Sequence, residues 1–257
     1  KHLIATSALA PRARRVRAAL ARFAMLREPA LGLLACEDAM MEAVFARLLA
    51  PDTNCIDVGA HVGAVSRIFA ELAPRGRHLI IEPEATKAAW LARRFPGAEV
   101  HAVAAAEADG ERTLYENLDN PGFTGLAPRR GRGRTRESRV RAVRLDSLVP
   151  EDRRIGLVKI DVEGLEHAVL RGAEAILDRD RPVIVFEAGA TRADRPGGDP
   201  CAPLFRHLEE RHGYVLRAVF DAYYARPPID AGRFTAYRTF PYMAFNYVAS
   251  PREGEKP

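Results

Sequence analysis

Cys55-Ile-Asp-Val-Gly-Ala-His-Val-Gly-Ala-Val-Ser66 decides how the rest of the chain is read. A short apolar run passes Asp57, turns through Gly59 and Gly63, and enters a segment with Val62, Val65, Ile68, Phe69 and Leu72 at helical spacing. The pattern predicts a strand, a tight turn and a helix. Glycine permits a left-handed turn and a close ligand, and the helix start offers unpaired N–H groups, so a small molecule is expected there. The three-glycine pyrophosphate fingerprint of dinucleotide enzymes is absent, and an acid beside the turn favours a cation over a phosphate. About 20 residues on, the apolar run His78 to Ile81 ends in Glu82, where nucleoside sites place the carboxylate that holds ribose hydroxyls. An adenosyl group carrying positive charge fits both features, which describes S-adenosylmethionine.

Outward from this stretch, strands and helices alternate, the mark of a mostly parallel sheet with helices on both faces. Helices are expected over Glu37–Leu49, Glu84–Phe95, Leu204–Arg211 and, as one continuous element, Leu165–Leu177. Strands are expected over Glu99–Ala104, Glu111–Tyr115, Val140–Leu145, Ile155–Ile160, Pro182–Phe186, Tyr214–Phe220 and Met243–Val248. Asp57, Glu82, Asp161 and Glu187 then stand at the carboxyl ends of four apolar strands, the edge where open α/β sheets bind ligands. Glu116 to Arg139 has no periodicity and reads as a long loop, with Asn120–Gly125 a compact turn either over the ligand or on the surface. Tyr223 to Phe240 reads as irregular, a candidate wall of the acceptor site. Pro11 to Leu26 suggests a basic amphipathic helix that packs on its own domain, on a partner subunit as in a homodimer, or on an anionic membrane surface. The domain reading is a helical extension over 1–50, a catalytic domain over 51–250 and a tail over 251–257.

The chain has 257 residues, 47% of them hydrophobic, enough for one full core. It shows no bilayer-spanning run and no signal-peptide pattern. Cys36, Cys55 and Cys201 are odd in number and have no metal-ligand spacing, which points to a reducing, cytoplasmic setting. The net charge of +5 comes from arginines crowded at Arg12–Arg27 and Arg129–Arg144. The second run has no aromatic residue to stack on bases, so no nucleic-acid partner is expected.

Five segments together resemble the FkbM family of S-adenosylmethionine-dependent methyltransferases. They are Ile56-Asp-Val-Gly-Ala-His-Val-Gly63, Ile81-Glu-Pro83, Val143-Arg-Leu-Asp-Ser-Leu148, Val158-Lys-Ile-Asp-Val-Glu-Gly-Leu-Glu166 and Leu170-Arg-Gly172, in the family's order. The resemblance implies a Rossmann-like class I methyltransferase, a seven-stranded sheet with one antiparallel strand. It also implies methylation of a hydroxyl on a sugar or secondary metabolite, with S-adenosyl-L-homocysteine as product. His61 stands where the family often has asparagine and Leu165 where alanine is common, departures that bear on the acceptor pocket.

For the cofactor, Asp57 and Gly59 are assigned near the methionine part, with Ala60 beside them. Gly63 is assigned to the helix entry, Glu82 with Pro83 to the ribose, and Ala105 to the adenine pocket. A hydroxyl is a poor nucleophile that must be held about 3 Å from the methyl carbon and helped by a base. Asp161 is the favoured base, with Glu163, Glu187 and His61 as competitors. No metal ligand is assigned, although Asp161 and Glu187 together offer the oxygen donors that a hard divalent ion takes. The acceptor is a small molecule or a glycan. The rival readings are a non-catalytic S-adenosylmethionine-binding protein and a nucleic-acid methyltransferase.

Overall fold

A computed structural model describes residues 29–119, 124–126, 134–191 and 198–252. The basic segment over 11–26, residues 120–123 of the expected turn, part of the second arginine run and the tail from 253 lie outside them.

The main sheet contains β1 (Cys55–Val58), β2 (Leu79–Ile81), β3 (Glu99–His101), β7 (Leu157–Ile160), β8 (Val183–Glu187), β9 (Tyr214–Ala218) and β10 (Asn246–Pro251). Their order is β3-β2-β1-β7-β8-β10-β9. The β3-β2-β1-β7-β8 pairs are parallel, and β10 runs antiparallel to both its neighbours. The inner strands are largely apolar because helices cover both faces, Asp57 and Lys159 being charged exceptions within them. Side-chain alternation divides their residues between two layers. Ile56, Val58, Ile160 and Phe186 join the larger cluster, while Cys55, Leu157 and Val185 meet Met41, Val44 and Phe45 of helix α1 (Pro29–Leu48). Phe45 is fully buried and meets Phe69 edge to face at 5.4 Å; burying such a ring is worth about 1.5–3 kcal/mol. Glu37 anchors α1 to the sheet by accepting from the N–H groups of Phe245 at 3.0 Å and Asn246 at 2.9 Å, at the start of β10.

The seven-stranded, mostly parallel architecture agrees with the sequence reading, but five local expectations are corrected. The strand expected over Glu99–Ala104 stops at His101. Ala104–Ala105 is a separate strand, β4, in a second sheet of order β4-β6-β5 with β5 (Gly110–Asn117) and β6 (Thr135–Val143). Both ends of the stretch read as a loop, 116–117 and 135–139, therefore belong to a hairpin, paired from Gly110↔Ala142 to Asn117↔Thr135. The arginines that hid its strand character face solvent or pair: Arg136 with the buried Glu116, which also accepts from Ser138 Oγ at 2.7 Å, and Arg134 with Asp119 at 3.0 Å.

The helix expected over Leu165–Leu177 is two helices, α4 (Glu166–Arg171) and α5 (Glu174–Asp180). Gly172 lies so close to the second sheet that a Cβ there would sit 2.0 Å from the Ala106 carbonyl oxygen. The Gly172 carbonyl is taken by the Asp146 N–H at 3.0 Å, while Asp146 Oδ1 caps Ile176 N at 3.1 Å, so the helical ladder breaks there. Finally, the stretch read as irregular holds a helix over Ala231–Tyr237, capped by the Asp230 carboxylate accepting from Arg233 N at 2.7 Å. The strand expected over Met243–Val248 starts later, at Asn246. Among the described residues no helix is long and apolar enough to cross a membrane.

Candidate active site

The turn after β1 is shaped by its glycines. Gly59 has φ +80°, and a Cβ there would fall 1.9 Å from the Asp161 carbonyl oxygen. Only glycine lets the turn after β1 lie against the turn after β7. Gly63, at φ +72°, starts helix α2 (Ala64–Leu72), with no side chain capping its first N–H groups. It abuts Leu91 of helix α3 (Ala85–Arg94) and Phe95 just past its end, which a Cβ would approach to 2.8 and 2.6 Å. Between these glycines His61 is also held at φ 51°, a conformation that costs a non-glycine residue about 1–3 kcal/mol.

Beside this turn lies a cavity of about 220 Å³. Of the sequence-assigned residues, Gly59, His61, Glu82, Pro83, Ala105, Asp161, Glu163 and Glu187 line it. Asp57, Ala60 and Gly63 do not. Asp57 is buried under α2, where its carboxylate accepts a short hydrogen bond from Ser66 Oγ. Burial pushes its pKa up to about 6, against the Ser66 hydrogen bond and the charge of Lys159, its partner on β7. Asp57 therefore ties β1 to α2 and shapes the turn from below.

Glu82 is buried and fixed by two backbone donors, His61 N at 2.8 Å to Oε2 and Glu84 N at 3.0 Å to Oε1. Burial raises its pKa, with Lys87 opposing the shift. Each oxygen keeps a lone pair for a further donor, as a sugar diol requires. Ile81, Ala104, Ala105, Leu114 and Leu126 make the apolar wall beside it. The short described piece Thr124–Leu126 borders the same cavity, held to the hairpin by the Gly125–Tyr115 backbone pair. The part of the expected turn that is described thus does lie over the site.

The opposite side is polar. Asp161 and Glu187 end neighbouring strands. Burial pushes Glu187 up to about 8, reinforced by the Asp161 charge and opposed by Lys159. Lys159 is almost fully buried, donates to the Ile160 carbonyl at 3.2 Å and stands 3.7 Å from Asp161 Oδ2. Two carboxyls and an ammonium thus meet at one strand edge, with a proton retained at Glu187 near neutral pH.

Lys159, Glu166 and Ser66 are site-building residues absent from the sequence-derived set. Lys159 reads as one polar letter inside an apolar strand, and that anomaly was its available signal. Glu166 is buried and accepts from Gly164 N at 2.9 Å and Val162 N at 3.3 Å. It ties down the turn in which Glu163, at φ 58°, and Gly164, at φ 103°, are left-handed.

S-adenosylmethionine suits this cradle on the chain's own features: a left-handed glycine turn lining the cavity at Gly59, a fixed carboxylate at Glu82 and an apolar wall between β2 and β5. Comparison with known proteins bears on the same stretch. The AMB antimetabolite synthetase AmbE of Pseudomonas aeruginosa is 29% identical over 230 residues, a match covering 72% of this chain and 11% of that protein, so the chain spans about a tenth of its length. The solved structure of Methyltransferase FkbM from Methylobacillus flagellatus is similar at 15% identity and a TM-score of 0.45, over 79% of this chain and 45% of that one. The TehB-like SAM-dependent methyltransferase of Corynebacterium glutamicum is similar at 12% identity and a TM-score of 0.42, over 83% and 88% of the two chains. The Methyltransferase FkbM domain model matches residues 57–216, a span that takes in every cavity residue named above, and the chain belongs to that family of S-adenosylmethionine-dependent methyltransferases.

Proposed function

We propose that the chain methylates a hydroxyl oxygen on a sugar or other secondary metabolite, using S-adenosylmethionine as donor. The observation that carries this reading is the Asp161–Glu187–Lys159 group at the mouth of the β7 and β8 strands. A hydroxyl acceptor must lose a proton as its oxygen forms the new bond, and a carboxylate lining the cavity is the group to take it. Keeping the Lys159 ammonium almost fully buried beside two carboxyls costs folding free energy that a simple binding pocket has no reason to incur. Similarity to an antimetabolite synthetase also supports a secondary-metabolite acceptor.

When bound, S-adenosylmethionine supplies a methyl group on a sulfonium and is left as S-adenosyl-L-homocysteine. Gly59 would admit it against the backbone, Glu82 would accept from its ribose hydroxyls, and Ile81, Ala105 and Leu114 would pack its adenine. Asp161 accepts the acceptor's hydroxyl proton. Lys159 balances the Asp161 charge from 3.7 Å, and Glu187 is the neighbouring proton store. His61 and Glu163 flank the cavity and shape the acceptor's entry.

Calorimetric titration with S-adenosylmethionine and S-adenosyl-L-homocysteine, followed by methyl-transfer assays on a panel of glycan and metabolite hydroxyls, tests the reading. Asp161→Asn is expected to keep donor affinity within about threefold and to lower turnover by about 10²–10⁴-fold, the usual worth of a positioned base. Binding without turnover on any acceptor would make the protein a non-catalytic binder, and a folded sample that binds neither compound overturns the donor assignment.

A further inference from the structure

Away from the cavity, Glu174, His207 and His212 converge from two elements: the start of α5, and a π-turn over His207–Arg211 that leads into β9. We propose that these three side chains form a binding site for a divalent transition-metal ion of the zinc type, linking α5 to the strand that edges the main sheet.

The backbone is the first support. Residues five apart on an α-helix point about 140° from one another, at 3.6 residues per turn. The i→i+5 winding of a π-turn brings them nearer to one face, and such turns recur at functional sites. Here it sets the rings of His207 and His212 4.9 Å apart.

The donor spacing is the second support. His207 Nε2 lies 3.1 Å from Glu174 Oε1, and His212 Nε2 lies 3.2 Å from Glu174 Oε2. Ligands about 2.0–2.2 Å from a tetrahedral ion are separated by about 3.3 Å, which these spacings approach. One ligand atom from each of the three residues can be chosen so that all lie within 4.8 Å of one another.

The third support is what the buried nitrogens lack. The His212 side chain is 1% exposed, and its Nδ1 lies 3.0 Å from Asp178 Oδ1. With Nδ1 donating to that carboxylate, Nε2 of the neutral ring presents a lone pair toward Glu174. Among the described residues neither His212 Nε2 nor His207 Nε2 makes a hydrogen bond. Lone pairs facing a carboxylate across 3 Å repel unless a cation lies between them. A carboxylate behind a histidine ligand is also the arrangement by which proteins orient metal-binding imidazoles. Two imidazoles and a carboxylate suit zinc better than magnesium or calcium. Arg211 stands 3.9 Å from Glu174 and 3.3 Å from Asp178 on the exposed side and offsets part of the acidic charge.

The test uses the full chain, stripped with EDTA and dialysed into metal-free buffer, then titrated with zinc chloride alone and with cobalt(II) as a spectroscopic probe. One zinc per chain, a raised Tm and the visible bands of four-coordinate cobalt are expected. His207→Ala and Glu174→Gln should each weaken zinc binding by at least about tenfold, and Asp178→Asn by about tenfold. His101→Ala, outside the cluster, should leave it unchanged. Far-UV circular dichroism of the metal-free variants establishes that each is folded, and the two partly exposed ligand positions carry the test because His212 is buried. No stoichiometric zinc, or zinc held equally by folded His207→Ala and Glu174→Gln, overturns the proposal.

Discussion

At the scale of single residues, Glu187 has the clearest consequence for pH. Its carboxyl is pushed up to about 8 in the folded chain from an ordinary value of 4.5, chiefly by burial and then by Asp161. Between those values the folded chain holds a proton that the unfolded chain has released, so stability falls as pH rises through the window and levels off above it. Asp57 acts in the same direction but over a lower window, ending at about 6. Unfolding free energies measured from pH 6 to 8 should therefore fall more steeply for the native chain than for Glu187→Gln, by at most about 1.4 kcal/mol per pH unit. Equal slopes would refute the assigned protonation. Gly59 gives a steric counterpart. An alanine there places its Cβ 1.9 Å from the Asp161 carbonyl oxygen at a left-handed φ. Gly59→Ala is expected to cost at least about 1–3 kcal/mol in chemical denaturation and, by pushing the two turns apart, to abolish binding of S-adenosyl-L-homocysteine.

At the scale of elements, α1 and the hairpin flank the site. α1 is tied to the start of β10 by the Glu37 carboxylate, which accepts from two backbone N–H groups beside the Glu187 strand. Truncation leaves those partly buried donors without the acceptor, so Glu37→Ala should lower stability by about 1.5–3 kcal/mol, read from urea unfolding with an unchanged m-value. A loss below 0.5 kcal/mol would mean that apolar packing alone seats the helix. The element boundaries also mark where pattern reading succeeded. The strands β1, β2, β7 and β8 are short apolar runs buried on both faces, and their letters announced them. The β5–β6 hairpin announced only its inner halves, near Glu111–Tyr115 and Val140; its outer end is built from charged residues whose pairing depends on Glu116 and Arg136, 20 positions apart. The break between α4 and α5 was silent: its apolar spacing continues across Gly172, and only tertiary contacts with Ala106 and Asp146 interrupt it.

At the scale of the molecule, the net charge of +5 raises the question of nucleic acid. Several described arginines pair with local acids: Arg134 with Asp119, Arg136 with Glu116, Arg153 with Glu99 and Arg179 with Asp180. Arginines held by carboxylates have less to gain from phosphates. Retention of single-stranded RNA, if seen at low salt, should vanish near 150 mM, with no methyl transfer to it. Salt-resistant binding would revive that reading.

By itself the sequence determined the alternating strand–helix order, the glycine turn, the four acids that line the cavity at Glu82, Asp161, Glu163 and Glu187, and the family, because each is written in residues close together along the chain. The tertiary structure alone decided that Asp57 lies beneath the turn, that Lys159 stands as countercharge to Asp161, and that Glu187 keeps its proton. It also decided that Glu174 meets two histidines from another element. Charge, burial and metal-ligand spacing arise between groups far apart in the chain, and no local pattern encodes those distances.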